Sequence, residues 1–171
     1  MTEQRQILVS AKNEDGRTVS KGVGLAKKPL DKVWAFATDP EKIKSTSRFL
    51  KDFTWNQETG EVKMRIEILT IDYTLRGRAV PKPHPQNPRV EFTVLEGDIV
   101  PFTAELELRS PEAQFARGEG VPSFGAGQTL VRIEGWSAKD RALSWPMRVG
   151  LEILLQRTAG ALREAVEAEK N

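Results

Sequence analysis

The chain of 171 residues has one histidine, one tyrosine and no cysteine, so few of its side chains could carry out chemistry. Without cysteine there is no thiolate nucleophile, thiolate metal site or disulfide framework. His84 lies in the run Pro81-Lys82-Pro83-His84-Pro85-Gln86-Asn87-Pro88, with no carboxylate spaced to orient it. A general base must be held within hydrogen-bond reach of the proton it removes, and an extended proline-rich loop instead favours an exposed histidine. A lone histidine gives no support to a Ser-His-Asp set, and Asp and Glu are too scattered for a metal constellation. No catalytic residue, metal ligand or cofactor is assigned. Tyr73 falls on the apolar parity of its segment; there its hydroxyl needs a protein or ligand partner, whereas at a strand end it reaches water.

The glycine-rich stretches carry no nucleotide chemistry. Gly120-Val121-Pro122 and Gly125-Ala126-Gly127 lack the strand-to-helix context of a phosphate-binding loop. The surrounding connection, 111–127, carries Phe115 and Phe124 and reads equally as a lid, a membrane-touching element or plain disorder. Arg76, Arg78, Lys82 and Arg89 gather around the proline-rich turn, where a solvated charged face is favoured over a site for an acidic partner or lipid head groups. A formal net charge of +2 with both signs interspersed argues against a nucleic-acid binder. It leaves room for weak, transient contact with an anionic membrane surface. The first residues lack an apolar stretch of signal-peptide length and no run approaches a membrane span, so a cytoplasmic protein is expected.

The elements that must position these residues follow from hydrophobic period. Residues 1–17 are polar apart from Ile7-Leu8-Val9, and Asn13-Glu14-Asp15-Gly16 is a turn signal, so this is either a frayed tail or the first arm of a hairpin. Residues 18–171 then form a single domain. Val19, Val23 and Leu25 share a parity, with Gly22 and Gly24 permitting close approach or a bend. Pro29 and Pro40 bracket a short helix carrying Val33, Trp34, Phe36 and Ala37, and Asp39 is placed to cap a second. Six further strands follow by alternation: Phe53 and Trp55; Val62, Met64, Ile66 and Ile68; Ile71, Tyr73 and Leu75; Val90, Phe92 and Val94; Phe102, Ala104, Leu106 and Leu108; Val131 and Ile133. Each opposes apolar to charged residues, as an antiparallel sheet with one wet face requires. Residues 146–168 form one long helix with an apolar stripe of Met147, Leu151, Leu154, Leu155, Thr158, Leu162 and Val166. Gly150 and Gly160 cost that helix stability and point to close packing or a bend.

The fold class is α+β: seven curved antiparallel strands around a long C-terminal helix, with two short helices between strands one and two. This order resembles the START-like, or SRPBCC, superfamily of helix-grip proteins. The resemblance is carried by the first strand running into Val33, Trp34 and Phe36, then Thr38-Asp39-Pro40; by Pro88 to Phe92, Gly97 and Leu106 to Ser110; and by Gly127 to Val131. It covers about residues 18–168 and is nearest the polyketide cyclase/dehydratase-like and coenzyme Q-binding-like members. It implies a cavity between sheet and long helix that holds a lipid, polyketide, isoprenoid or similar apolar molecule.

By themselves the inward residues fit either a packed core or a pocket; the resemblance implies the pocket. Its expected ligand-binding residues are Met64, Ile66, Tyr73, Leu75, Phe92, Leu106, Trp145, Leu151, Leu154 and Thr158. Trp145 would staple the start of the long helix or gate the cavity, and Thr158 more simply bonds back to the preceding turn. The expected function is binding or transport of a hydrophobic small molecule. The alternatives are a cyclase/dehydratase-like enzyme, with Tyr73 or an inward carboxylate moving protons, and a protein-interaction or membrane-peripheral module using 111–127 and the basic turn.

Overall fold

Asp15 and Gly16 both have positive φ, 48° and 76°, which is the backbone of a two-residue hairpin loop twisted to match its strands. The first arm is therefore strand β1 (Leu8–Glu14), paired antiparallel with β2 (Arg17–Ala26) from Leu8 opposite Val23 to Glu14 opposite Arg17. Residues 8–46, 48, 50–68, 70–98, 101–113 and 124–169 are described by the structure, a computed structural model. For Leu8, Ile68, Pro146, Gly150, Leu151, Leu154, Arg157 and Thr158 that description stops at the backbone.

After β2 come α1 (Leu30–Ala37) and α2 (Pro40–Thr46), then β3 (Leu50–Trp55), β4 (Glu61–Ile68), β5 (Ile71–Lys82), β6 (Arg89–Gly97), β7 (Phe102–Arg109), β8 (Thr129–Ser137) and α3 (Trp145–Ala168). The eight strands form one antiparallel sheet in the order β1-β2-β8-β7-β6-β5-β4-β3. The count is eight where alternation predicts seven, because β1 contains too few apolar residues to register as a strand unless its turn is read as a hairpin. Asp39 caps α2 as its position predicts: Oδ1 accepts the N–H groups of Glu41 at 3.0 Å and Lys42 at 3.3 Å.

β2 departs from the predicted facing. Its buried positions are Thr18, Ser20, Gly22 and Ala26, and the register sets Ser20, Gly22, Gly24 and Ala26 opposite the inward Gly135, Ile133, Val131 and Thr129 of β8. Val19, Val23 and Leu25 thus lie on the outer face. Small residues face inward because α3 comes close here: its near backbone approaches are to β1 and β2 along one margin of the sheet and to α1 and α2 beyond it. Polar groups buried along this margin are satisfied. Thr18 N–H donates to Ser137 Oγ at 2.8 Å, and Thr18 Oγ1 donates to Asn13 Oδ1 at 2.7 Å while accepting the Leu143 N–H at 2.8 Å.

The last turn of α3 is tied down by charge. Lys28 Nζ donates to the Glu169 carbonyl at 2.6 Å, Lys42 Nζ meets Glu169 Oε1 at 2.7 Å, and Lys27 N–H donates to Glu167 Oε1 at 3.0 Å. On the convex face, charged side chains pair across strands: Arg65 with Asp52, Arg76 with Glu61 and Glu96, Lys82 with Glu91, and Arg89 with Glu105. Glu107 of β7 stands on this face at 5% exposure, held by Arg109 Nε at 2.5 Å with Arg132 at 3.9 Å.

Candidate functional site

The concave face of β4–β7 assembles the predicted apolar set from neighbouring strands. Met64 stands opposite Leu75 and Ile66 opposite Tyr73 across β4 and β5, while Leu106 faces Val90 across β6 and β7. Phe92, in the middle of β6, is flanked by the small residues Ala79 and Ala104. Ile66 and Leu75 are buried, yet Met64, Tyr73, Phe92 and Leu106 are only half-buried although all four lie on the inward parity. In a core packed to interior density, such mid-sheet side chains would be sealed. Met64, Phe92 and Leu106 also join three apolar clusters: one around Leu108, Phe36 and Val166, one around Trp55 and Val62, one around Ile66 and Phe102.

The remaining predicted residues divide. Trp145 opens α3 and is 68% exposed, with Val149 and Ile153 exposed one and two turns further on. The side chains of Leu151, Leu154 and Thr158 lie outside the described structure, as does the middle of the predicted lid, 114–123. Gly160 is not there for close packing, since a Cβ would meet nothing within 4 Å. Near β2 and β8 the space against α3 is small: a cavity of about 40 Å³ lined by residues including Val9, Val131, Leu155 and Leu162, room for a few waters. Along β4–β7, by contrast, Met64, Tyr73, Phe92 and Leu106 stay half-buried.

Polar groups at the concave face are few. The Tyr73 hydroxyl has no hydrogen-bond partner among the described residues. The indole N–H of Trp55, which packs with Val62, Met64 and Phe92, is buried without an acceptor. Trp55, Phe53, Val62 and Ala79 belong to this face but were missed as site residues; their inward parity on adjacent strands was the available signal. His84 is better oriented than its surroundings suggest, its Nδ1 accepting the N–H groups of Gln86 at 3.2 Å and Asn87 at 3.1 Å, but it belongs to an exposed loop between β5 and β6. In the basic cluster Arg76, Lys82 and Arg89 are neutralised by cross-strand carboxylates, the solvated-face arrangement. No helix is long and apolar enough to cross a membrane among the described residues.

A curved antiparallel sheet gripping a long C-terminal helix, with two short helices after its second strand, is the START-like, or SRPBCC, helix-grip fold. Solved structures share it across nearly the whole chain. A START superfamily protein from Mycobacterium smegmatis superposes with a TM-score of 0.65 at 13% identity, covering 87% of this chain and 97% of that one. The Zhui aromatase/cyclase from Streptomyces sp. R1128 gives 0.64 at 16% identity, covering 88% and 92%. A protein from Arthrobacter aurescens gives 0.67 at 11% identity, covering 95% and 93%. At these identities the likeness defines the fold. No family model matches the chain, and no curated protein sequence does.

Proposed function

We propose that this protein binds a hydrophobic small molecule between the concave face of β4–β7 and α3. The observation that carries this reading is the half-buried state of Met64, Tyr73, Phe92 and Leu106, inward-facing side chains in the middle of the sheet. Apolar walls with a few placed polar groups are the usual form of a small-molecule site. Here the polar group is the hydroxyl of half-buried Tyr73, which suits an apolar molecule bearing at least one oxygen. Native mass spectrometry of the purified protein, with displacement of an apolar fluorescent dye by fatty acids and aromatic polyketides, tests it. A saturable, one-to-one displacement is expected; absence of both retained ligand and dye binding would sink the reading.

A second reading, a cyclase/dehydratase-like enzyme, is favoured by one observation: on the concave face, the Tyr73 hydroxyl has no hydrogen-bond partner among the described residues. Held against a bound polyketide, it could move a proton. Tyr73→Phe separates the two readings, since a binder retains affinity within a few-fold whereas the enzyme loses roughly 10²-fold or more in turnover.

A further inference from the structure

Two inward-facing phenylalanines reach across to glycines of the neighbouring strand. A Cβ built on Gly77 of β5 would stand 3.1 Å from both Cε2 and Cζ of Phe92, and one built on Gly135 of β8 would stand 2.6 Å from Cζ of Phe102. Both reaches are diagonal. Phe92 is paired with Ala79 while Gly77 is paired with Val94, and Phe102 is paired with Ser137 while Gly135 is paired with Ala104. The far edge of each ring therefore takes the room that a side chain on the next strand would need, and the ring leans across the sheet instead of standing away from it. An aromatic ring over a cross-strand glycine covers backbone that has no side chain of its own.

The two rings differ in how far they are covered in turn. Phe102 is 8% exposed, closed into the cluster around Ile66, Leu75 and Val94. Phe92 packs at the margin of that cluster and of the one around Trp55 and Val62, and it stays half-buried. With its edge against Gly77, the ring has a face left for the concave side. No charged residue occupies a described inward position of β4–β7. On area alone such a surface takes a saturated skeleton and a flat one equally well. A ring face adds an offset-stacked contact that only a flat, aromatic partner can make.

We infer that Phe92, leaning over Gly77, is a stacking platform that makes the concave face selective for planar aromatic molecules over saturated ones of the same size. This rests on the reading proposed for that face and names the class of molecule it takes. Gly77 makes the room: a side chain there would press on the ring and would also collide with the Thr93 carbonyl oxygen.

2-Naphthol and trans-2-decalol share a carbon skeleton and a hydroxyl and differ in flatness. Calorimetric titration of the unaltered protein is expected to show naphthol binding roughly two- to tenfold more tightly than decalol, the range of one stacked pair. The naphthol ring protons are expected to move upfield in the NMR spectrum of the complex. Phe92→Leu, which keeps an apolar side chain and removes the ring, is expected to bring the ratio of the two affinities to about one, and Phe92→Tyr is expected to preserve it. Equal or tighter binding of decalol by the unaltered protein, or an unchanged ratio in Phe92→Leu, would overturn the platform and leave the proposed function standing. Binding of neither compound would overturn both. The comparison in the unaltered protein decides the matter even where Phe92→Leu fails to fold.

Discussion

Glu107 is a carboxylate on the outer face of β7, and its neighbours decide its charge. Burial alone raises a carboxyl pKa; the hydrogen bond and charge of Arg109, with the charge of Arg89 and the Asn87 amide, outweigh it and hold Glu107 below the ordinary carboxylate range. A folded-state pKa below the unfolded one means stability that is present above the unfolded value and lost as pH falls through the folded value. Denaturant melts of the wild type should therefore weaken as pH drops below about 4.5, the ordinary value for this group. Glu107→Gln should flatten that acid limb and cost about 1.5–3 kcal/mol at neutral pH, where a charged hydrogen bond is lost. Gly135 makes a different demand, that of space: a Cβ there would fall 2.6 Å from Phe102 Cζ and 3.1 Å from Ser20 Oγ. Gly135→Ala should cost about 1–3 kcal/mol by overpacking, and Phe102→Leu on top of it should return part of that loss in a double-mutant cycle.

The short helices and the sheet differ in how openly the sequence announces them. α2 is written in Asp39-Pro40-Glu41, a cap, a first-turn proline and an acidic first turn; Asp39→Ala should lower stability by about 1 kcal/mol, measurable by urea titration. The strands β4 to β8 were legible because apolar and charged residues alternate where one face is wet. β2 was misread for the same physical reason in reverse. Its inward residues are serine, glycine and alanine, chosen for the nearness of α3, so the hydrophobic pattern marks the outer face instead. Trp145 shows a similar limit: the period of α3 identifies a helix, but which flank meets the sheet depends on how the helix lies across it. The fixed ring of His84 could not be read either, since two backbone N–H groups orient it and backbone geometry leaves no trace in residue types.

At the scale of the molecule, one margin of the grip is tightly packed and the other is half-buried. The packed side holds about 40 Å³ against β2 and β8, while the faces of β6 and β7 around Phe92 stay half-buried. A bulky residue placed in the half-buried part should displace ligand without disturbing the packed part. Ala104→Phe, beside Phe92, is expected to reduce dye and fatty-acid affinity at least tenfold while Tm stays within a few degrees of wild type; unchanged affinity would place the ligand elsewhere. The ties from Lys27, Lys28 and Lys42 to the last turn of α3 bear on the same space. The other end is held as well, since Leu143, two residues ahead of α3, is buried and its N–H donates to Thr18 Oγ1. With 24 residues at about 1.5 Å each, α3 is a beam of roughly 36 Å resting on a support at either end, so the space beneath it is set by where those two supports stand.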